Sequence, residues 1–140
     1  MAARSGVTYL NPPSAPPLLG MYSHVARMQP GEVAFIAGQV AADRGGNVVG
    51  AGDLKAQVEQ VFDNIGAILR DLSLSFESVV QFTTYLTEER GIPAFLAARA
   101  TLFPRLFPGG RYPPNTLLVV KQLVKPEFLI EVEAIARLSS

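Results

Sequence analysis

The chain has 140 residues, 12 basic and 12 acidic side chains, and 49% hydrophobic against only 17% charged residues. That length predicts a single domain over residues 1–140 with one hydrophobic core. The zero net charge, without any block of like charge, argues against nucleic acid or an anionic membrane as a partner. With no cysteine and a single histidine, His24, the sequence excludes disulfides and thiolate chemistry. It also leaves a histidine-based metal site or a Ser-His-Asp triad without partners, so no metal site is predicted.

Two features of the composition concern location and assembly. The segment Met1–Gly6 lacks the apolar run of a signal peptide, and no apolar stretch approaches the ~20 residues of a membrane span. We therefore expect a cytoplasmic protein that does not contact a membrane. So few charges on a short chain indicate apolar surface that another copy covers, although an apolar monomer is the alternative.

Proline and glycine divide the first third of the chain. Residues 11–17 contain four prolines and should form an extended surface loop, because proline removes a donor and restricts φ. Gly20–Arg27 and Val33–Ala37 have strand composition and flank the turn Gln29–Glu32, so the pattern predicts a β-hairpin. Residues 42–47, rich in glycine and asparagine, predict a further turn.

Two helices are predicted in the middle of the chain. The clearer one runs from about Asp53 to Leu72, because apolar residues recur there at helical spacing and Asp53 suits the N-cap. A second helix starts near Ile92, with Pro93 at its first position. Pro104 should kink or end this helix at residues 101–103, since its ring clashes with the carbonyl four residues back.

Three later segments complete a predicted sheet. Ser78–Leu86 has strand composition, and Thr116–Val120 is apolar on both faces, which predicts a central strand covered on both sides. Phe128–Leu138 alternates, with Glu131 and Glu133 on the polar face. The order of elements predicts an α+β fold, in which two helices pack on one face of one mixed sheet.

The sheet face away from the helices keeps apolar side chains from Thr116–Val120, together with Tyr85 and Ile135. Burial of apolar area contributes about 25 cal/mol per Å², so a few such side chains favour self-association with closed symmetry. This argument does not choose between a dimer and a trimer.

Five segments in chain order resemble segments of the RidA (YjgF) family. They are GMYS at 20–23 (family GPYS), FIAGQ at 35–39 (SGQ), the helix residues 52–57 with 64–69, VVQFTTYLT at 79–87 (VVKTTVYLTD) and LIEVEAIA at 129–136 (LVEIEAIA). The match is collinear over nearly the whole chain. The resemblance implies a chorismate-mutase-like subunit that forms a homotrimer, with small-molecule clefts between subunits on the sheet side away from the helices.

The resemblance also implies an activity, namely the hydrolysis of reactive enamines and imines to 2-oxo acids and ammonia without a metal or organic cofactor. It implies that Tyr22 lines the cleft, that Gly38 offers backbone groups there, and that Glu131 positions water or protonates the substrate. A carboxyl group suits this chemistry, because adding water to an imine requires one proton delivered and another removed. The alternative for Glu131 is a solvated strand residue, as Glu133 could be.

The sequence departs from the family at pocket positions. The serine of SGQ is Ala37, and the arginine that clamps the substrate carboxylate aligns with Thr116, fifteen residues before Glu131. Threonine cannot form a bidentate pair with a carboxylate. The family's helix asparagine falls near Arg99 or Ala100. One of Arg99, Arg105 and Arg111 could replace the clamp, although each could equally be a surface residue, as could His24 beside the GMYS segment.

The ligand-binding prediction therefore comprises Tyr22, Ala37, Gly38 and Thr116, with Glu131 as the catalytic residue. Retention of Tyr22, Gly38 and Glu131 favours an imine or enamine hydrolase of altered specificity. Loss of the family residues at Ala37 and Thr116 favours instead a ligand-binding or regulatory trimer without deaminase chemistry. A purely structural assembly rests only on the apolar sheet face.

Overall fold

The computed structural model describes residues 5–138, so residues 1–4, most of the segment Met1–Gly6, and residues 139–140 lie outside it. Its strands and helices, in chain order, are β1 (Val7–Leu10), β2 (Val25–Met28), β3 (Val33–Gln39), α1 (Leu54–Asp71), β4 (Val79–Leu86), α2 (Ile92–Leu106), β5 (Asn115–Val119) and β6 (Ile130–Arg137). Among these described residues, no helix combines the length and apolar character needed to cross a bilayer.

Four of the strands form one mixed sheet in the order β3-β6-β4-β5. Strand β6 is antiparallel to both β3 and β4, whereas β5 runs parallel to β4. The parallel pair needs a crossover connection, and α2 supplies it. Strand β6 lies inside the sheet, with Ile130, Val132 and Ala134 buried on one face, as its alternating sequence predicted.

Both helices pack on this buried face, which we call the inner face. Helix α1 is capped by Asp53, whose Oδ1 accepts a hydrogen bond from the backbone N of Ala56 at 3.1 Å. The rings of Phe62, Phe82 and Phe103 bring α1, β4 and α2 together; Phe62 meets the other two edge to face, at centroid distances of 5.6 and 5.4 Å. The predicted α+β class, with two helices on one face of a mixed sheet, is confirmed.

Pro104 was predicted to kink or end α2 at residues 101–103. The helix does not end there, because it continues to Leu106. Proline at this position removes one backbone hydrogen bond near the C-terminal end, and its ring is exposed. On either side of it, Phe103 and Phe107 are each only 2% exposed. Burial of these two rings outweighs the loss of one bond, so the last turn stays helical.

The predicted hairpin between Gly20–Arg27 and Val33–Ala37 is also wrong. Strand β2 begins only at Val25 and pairs antiparallel with β1, a strand the sequence did not suggest. Strand β3 pairs instead with β6, near the opposite end of the chain. The local pattern located strand-forming residues but carried no information about these distant partners.

Two long-range contacts hold the β1–β2 ribbon to the main sheet. The Oη of Tyr9 donates a hydrogen bond to the carbonyl of Val79 at 2.6 Å. The buried guanidinium of Arg137 donates to three backbone carbonyls, those of Ser5, Gln29 and Pro30. The ribbon therefore depends on a side chain from the last strand.

Strand β5 lies at the edge of the sheet, which contradicts its predicted central position. Leu118 and Val119 are 41% and 44% exposed. Apolar residues on both faces of a strand predict that both faces are buried. The pattern does not show whether the same chain or another molecule buries them.

Candidate functional site

The face of the sheet opposite the helices, which we call the outer face, carries two cross-strand rows. The strand register aligns Thr116 with Thr83 and Glu133 in one row, and Leu118 with Tyr85 and Glu131 in the next. Direct cross-strand neighbours have Cβ atoms about 4.5–5.5 Å apart. Residues from β4, β5 and β6 are thereby gathered into one polar patch beside an apolar edge.

A β-bulge in β3 places Glu131 against Gly38. Between Ile36 and Gln39 the pairing with β6 shifts, so that β3 has one residue more than its partner. A Cβ on Gly38 would lie 2.7 Å from Cδ of Glu131. Glycine at this position therefore allows the close approach of the carboxyl group, which a Cβ would force to move.

The acidic pair on this face has an unusual charge environment. Partial burial, and secondarily the nearby Glu133, raise the pKa of Glu131 above the ordinary glutamate value. The Oη of Tyr85 donates a 2.7 Å hydrogen bond to Oε1 of Glu133, and this bond raises the pKa of Tyr85. Glu131 therefore retains its proton to higher pH than an ordinary glutamate, as a general acid requires.

A shallow cavity of about 380 Å³ lies on the same face. Its lining includes Phe35, Ala37, Thr83 and Glu133, and the Phe35 ring is 80% exposed. Of the predicted site residues, only Ala37 lines this cavity. Gly38, Thr116 and Glu131 lie on the same face or at its bulge without lining it. Most of the lining residues are apolar, and the polar side chains among them are those of Gln81, Thr83 and Glu133.

Tyr22 lies in the loop between β1 and β2, beside a different cavity of about 460 Å³. Its Oη accepts a 3.2 Å hydrogen bond from the backbone N of Leu19, and its ring meets His24 edge to face at 5.9 Å. None of the four outer-face site residues lines this loop cavity within the described chain. A single protomer thus provides two separate surfaces, one at Glu131 and one at Tyr22.

The three candidate arginines differ in their surroundings. Arg105 and Arg111 are exposed, whereas Arg99 is only 4% exposed. The Arg99 guanidinium lies 5.2 Å from the ring of Phe95 and 5.8 Å from that of Phe103. Its burial has a signal in the sequence, because it lies four residues from each of these buried rings on the apolar side of the helix.

Sequence reasoning missed the contact between Tyr85 and Glu133. It joins residues 48 positions apart and depends on the register of β4 against β6, for which no local signal exists. Asn115, next to Thr116, was missed for the same reason; its Oδ1 accepts a 2.7 Å hydrogen bond from Oγ1 of Thr84.

Comparisons with known proteins agree with this fold. Residues 13–138 match the family model described as Endoribonuclease L-PSP. A RutC family protein of Pyrococcus horikoshii is 34% identical over 123 residues, which are 88% of this chain and 91% of that protein. Protein DfrA of Myxococcus xanthus is 30% identical over 122 residues, or 87% and 88% of the two chains.

Solved structures show the same relationship. The Rid family protein YyfB of Yersinia pestis, described as of unknown function, has a TM-score of 0.85 and 34% identity, covering 95% of this chain and 99% of its own. RidA from an Antarctic Psychrobacter has a TM-score of 0.66 and 27% identity, covering 93% and 98%.

The fold and the outer face define an α+β domain with helices on one side of its sheet and a carboxyl-bearing surface on the other. The similarities to known proteins identify the family. The chain belongs to the Endoribonuclease L-PSP family, and it is similar to RutC-family and Rid-family proteins. The family resemblance predicted from the sequence is confirmed.

Proposed function

We propose that the chain forms a homotrimer with small-molecule pockets between subunits. We further propose that it is a hydrolase of reactive imines or enamines whose substrate specificity differs from that implied by the family resemblance. The observation that carries this proposal is Glu131, a half-buried carboxyl with a raised pKa held against Gly38 on the outer face. Trimeric assembly comes from the family resemblance and is part of the proposal.

The outer face supports assembly on physical grounds. Phe35 is 80% exposed there, and Leu118 is 41% exposed at the sheet edge. Burial of such side chains contributes about 25 cal/mol per Å², and closed symmetry lets every copy cover the same surface of another. A neighbouring copy on this face would also convert the shallow cavity near Phe35 into an enclosed pocket.

Glu131 lies on the same face but does not line that cavity in the protomer, so the proposed pocket between subunits must extend to it. The proposed reaction requires no other acid–base group. Protonated Glu131 delivers its proton to the imine nitrogen, and the resulting carboxylate accepts a proton as water adds to the carbon. The same carboxyl then protonates the amino group of the tetrahedral adduct and takes back the hydroxyl proton as the carbon–nitrogen bond breaks. One water is consumed, and one carbonyl compound and one ammonia are released.

The residues at two positions support altered specificity. Thr116 stands on β5 where the family resemblance places a carboxylate-binding arginine, and Ala37 removes a hydroxyl from the bulge. A neutral threonine cannot bind a substrate carboxylate bidentately. We therefore expect imines without a carboxylate at this position to be accepted at least as well as 2-imino acids.

The decisive test follows the decay of enzymatically generated imines with and without the protein. The series should contain 2-iminopropanoate and imines of similar size without a carboxylate. We expect acceleration for the second group, abolished by Glu131→Gln and retained by Glu127→Gln, which removes an exposed carboxyl group. Decay equal to buffer for the whole series would overturn the hydrolase proposal.

Assembly is tested separately by sedimentation. We expect a species of three times the 15.0 kDa chain mass, and a monomer at micromolar concentration would contradict this part of the proposal.

Specificity is tested by Thr116→Arg, which should raise the rate of 2-iminopropanoate hydrolysis if this residue faces the substrate.

A ligand-binding or regulatory trimer without catalysis is the second candidate, and Ala37 and Thr116 are the observations that favour it. Saturable binding of small molecules without any acceleration of imine decay would support it.

The family description refers to an endoribonuclease, but zero net charge does not favour RNA binding. We expect no cleavage of RNA by the purified protein.

A further inference from the structure

Tyr85 lies between the two carboxyl groups of the outer face. The strand register places it directly opposite Glu131, and its Oη donates the 2.7 Å hydrogen bond to Oε1 of Glu133. Glu131 and Glu133 are two positions apart on the same face of β6, so roughly 7 Å of strand separates them. One phenol therefore stands beside one carboxyl group and binds the other.

The two carboxyl groups have different surroundings. Glu133 accepts a hydrogen bond from a phenol, and a donated hydrogen bond favours the charged form of a carboxyl group. Glu131 accepts no hydrogen bond from the described residues, and its side chain lies against the backbone of Gly38. Partial burial without a donor favours the neutral form. The surroundings thus favour opposite charge states for two residues of the same type.

No cation of the sheet compensates this acidic pair. Strands β3, β4 and β5 contain no lysine or arginine, and the guanidinium of Arg137, at the end of β6, donates to three backbone carbonyls instead. The residues that neighbour Glu131 on this face are Gly38, Tyr85, Leu118 and Glu133. Only Tyr85 and Glu133 among them can titrate, so no neighbouring cation offsets the charge of Glu133.

The position of this charge depends on Tyr85. An unbound glutamate side chain at a sheet surface turns its charge into solvent, where water and salt screen it. The phenol instead keeps the carboxylate of Glu133 on the sheet, next to the row that contains Tyr85 and Glu131. Partial burial and this charge both raise the pKa of Glu131, burial the more strongly.

We propose that Tyr85 and Glu133 are a positioning pair that keeps Glu131 protonated as the acid of imine hydrolysis. Tyr85 holds the carboxylate of Glu133 in place, and this fixed negative charge disfavours a second negative charge on Glu131. The role requires no contact between either residue and the substrate. Its catalytic purpose rests on the proposed hydrolase function, whereas its effect on the proton of Glu131 does not.

The direct test is an NMR titration of the Glu131 carboxyl carbon in the intact protein, which requires no catalytic activity. Glu133→Gln removes the charge but keeps an oxygen that accepts the bond from Tyr85. The titration midpoint of Glu131 should then fall by about 0.5–1 pH unit, the effect of a like charge about 7 Å away at a half-buried position. Glu127→Gln, which removes an exposed carboxyl group, should leave the midpoint unchanged.

Tyr85→Phe tests the positioning without removing the charge. The ring stays opposite Glu131, but the released carboxylate of Glu133 turns towards solvent, so the Glu131 midpoint should fall by a smaller amount. Tyr112→Phe, which removes a hydroxyl without a hydrogen-bond partner among the described residues, should have no effect. Combining Tyr85→Phe with Glu133→Gln should add nothing to the shift of Glu133→Gln alone, because the hydroxyl acts only through that charge.

The pH profile of imine hydrolysis links the pair to catalysis. Because Glu131 acts in its protonated form, kcat/KM should decline as pH rises through its midpoint, and Glu133→Gln should move this decline to lower pH by the NMR shift. An unchanged Glu131 midpoint in Glu133→Gln would overturn the positioning pair, whether or not imines are hydrolysed. Shifted midpoints in a protein that accelerates no imine decay would confirm the action of the pair on Glu131 and overturn its catalytic purpose together with the hydrolase function.

Discussion

The two faces of the central sheet differ more than any other pair of regions in this molecule. Along β6, Ile130, Val132 and Ala134 are at most 2% exposed beneath the helices. Between them, Glu131 and Glu133 lie half-buried on the outer face. Because alternate residues of a strand point to opposite faces, one eight-residue strand contributes both to the core and to a carboxyl-bearing surface.

This difference separates two physical roles. The inner face stabilises the fold through buried apolar area and aromatic contacts. The outer face leaves apolar side chains exposed and keeps a carboxyl group in a setting that favours its protonated form. Substitutions on the inner face should therefore change the free energy of unfolding, whereas those on the outer face should change assembly and chemistry.

The largest expected effect comes from a matched pair of phenylalanines. Phe82→Ala, on the inner face, should lower the free energy of unfolding by about 3–5 kcal/mol, because it leaves a cavity in the aromatic cluster. Phe35→Ala, on the outer face, should leave protomer folding nearly unchanged and weaken self-association. Denaturant titration at fixed protein concentration and sedimentation measure the two quantities. Equal destabilisation by both variants, with no change of mass, would contradict the contrast between faces.

A smaller effect is expected at the bulge. Gly38→Ala places a Cβ against the Glu131 side chain and should push its carboxyl group aside, at a small cost in stability. The same displacement of the carboxyl should lower any imine hydrolysis at least tenfold. Gly109→Ala is the control, because a Cβ there meets nothing within 4 Å. If Gly38→Ala behaves like this control in denaturation and in the imine assay, the contact does not hold Glu131.

The hydroxyl of Tyr85 should have a more modest effect. Tyr85→Phe removes the hydrogen bond to Glu133 and should lower the free energy of unfolding only slightly, because solvent reaches this pair. The matched control is Tyr112→Phe, whose ring packs on Phe103 and Phe107 and whose hydroxyl has no hydrogen-bond partner among the described residues. Urea titrations of both variants should show a loss for Tyr85→Phe alone.

The smallest expected effect is a pH dependence of stability. Because the folded pKa of Glu131 is raised, the folded state binds more protons than the unfolded state between the ordinary and the raised value. The contribution of this group is therefore largest below the ordinary glutamate pKa and declines as pH rises through the raised pKa. Unfolding measured across that interval should show a shallower decline in Glu131→Gln than in the wild type, with Glu127→Gln as control.

How much the sequence predicted depended on whether the signal was local. Helix α1 was predicted nearly to the residue, because its apolar stripe and its Asp53 cap lie within one segment. The predicted pairing of β2 and the predicted position of β5 were wrong, because each depends on strands that are distant in the sequence. The carboxyl at Glu131 was identified by family resemblance, while its contact with Gly38 depends on a register shift between strands that no local pattern predicts.

The sequence by itself determined the two helices, the alternation of β6, the α+β class and the family, since periodicity and collinear motifs are properties of neighbouring residues. Only the tertiary structure decided which strands pair, where the bulge brings Gly38 under Glu131, and that Tyr85 binds Glu133. These features arise from contacts between distant segments, whose register and burial are set by packing of the whole domain rather than by any single stretch of sequence.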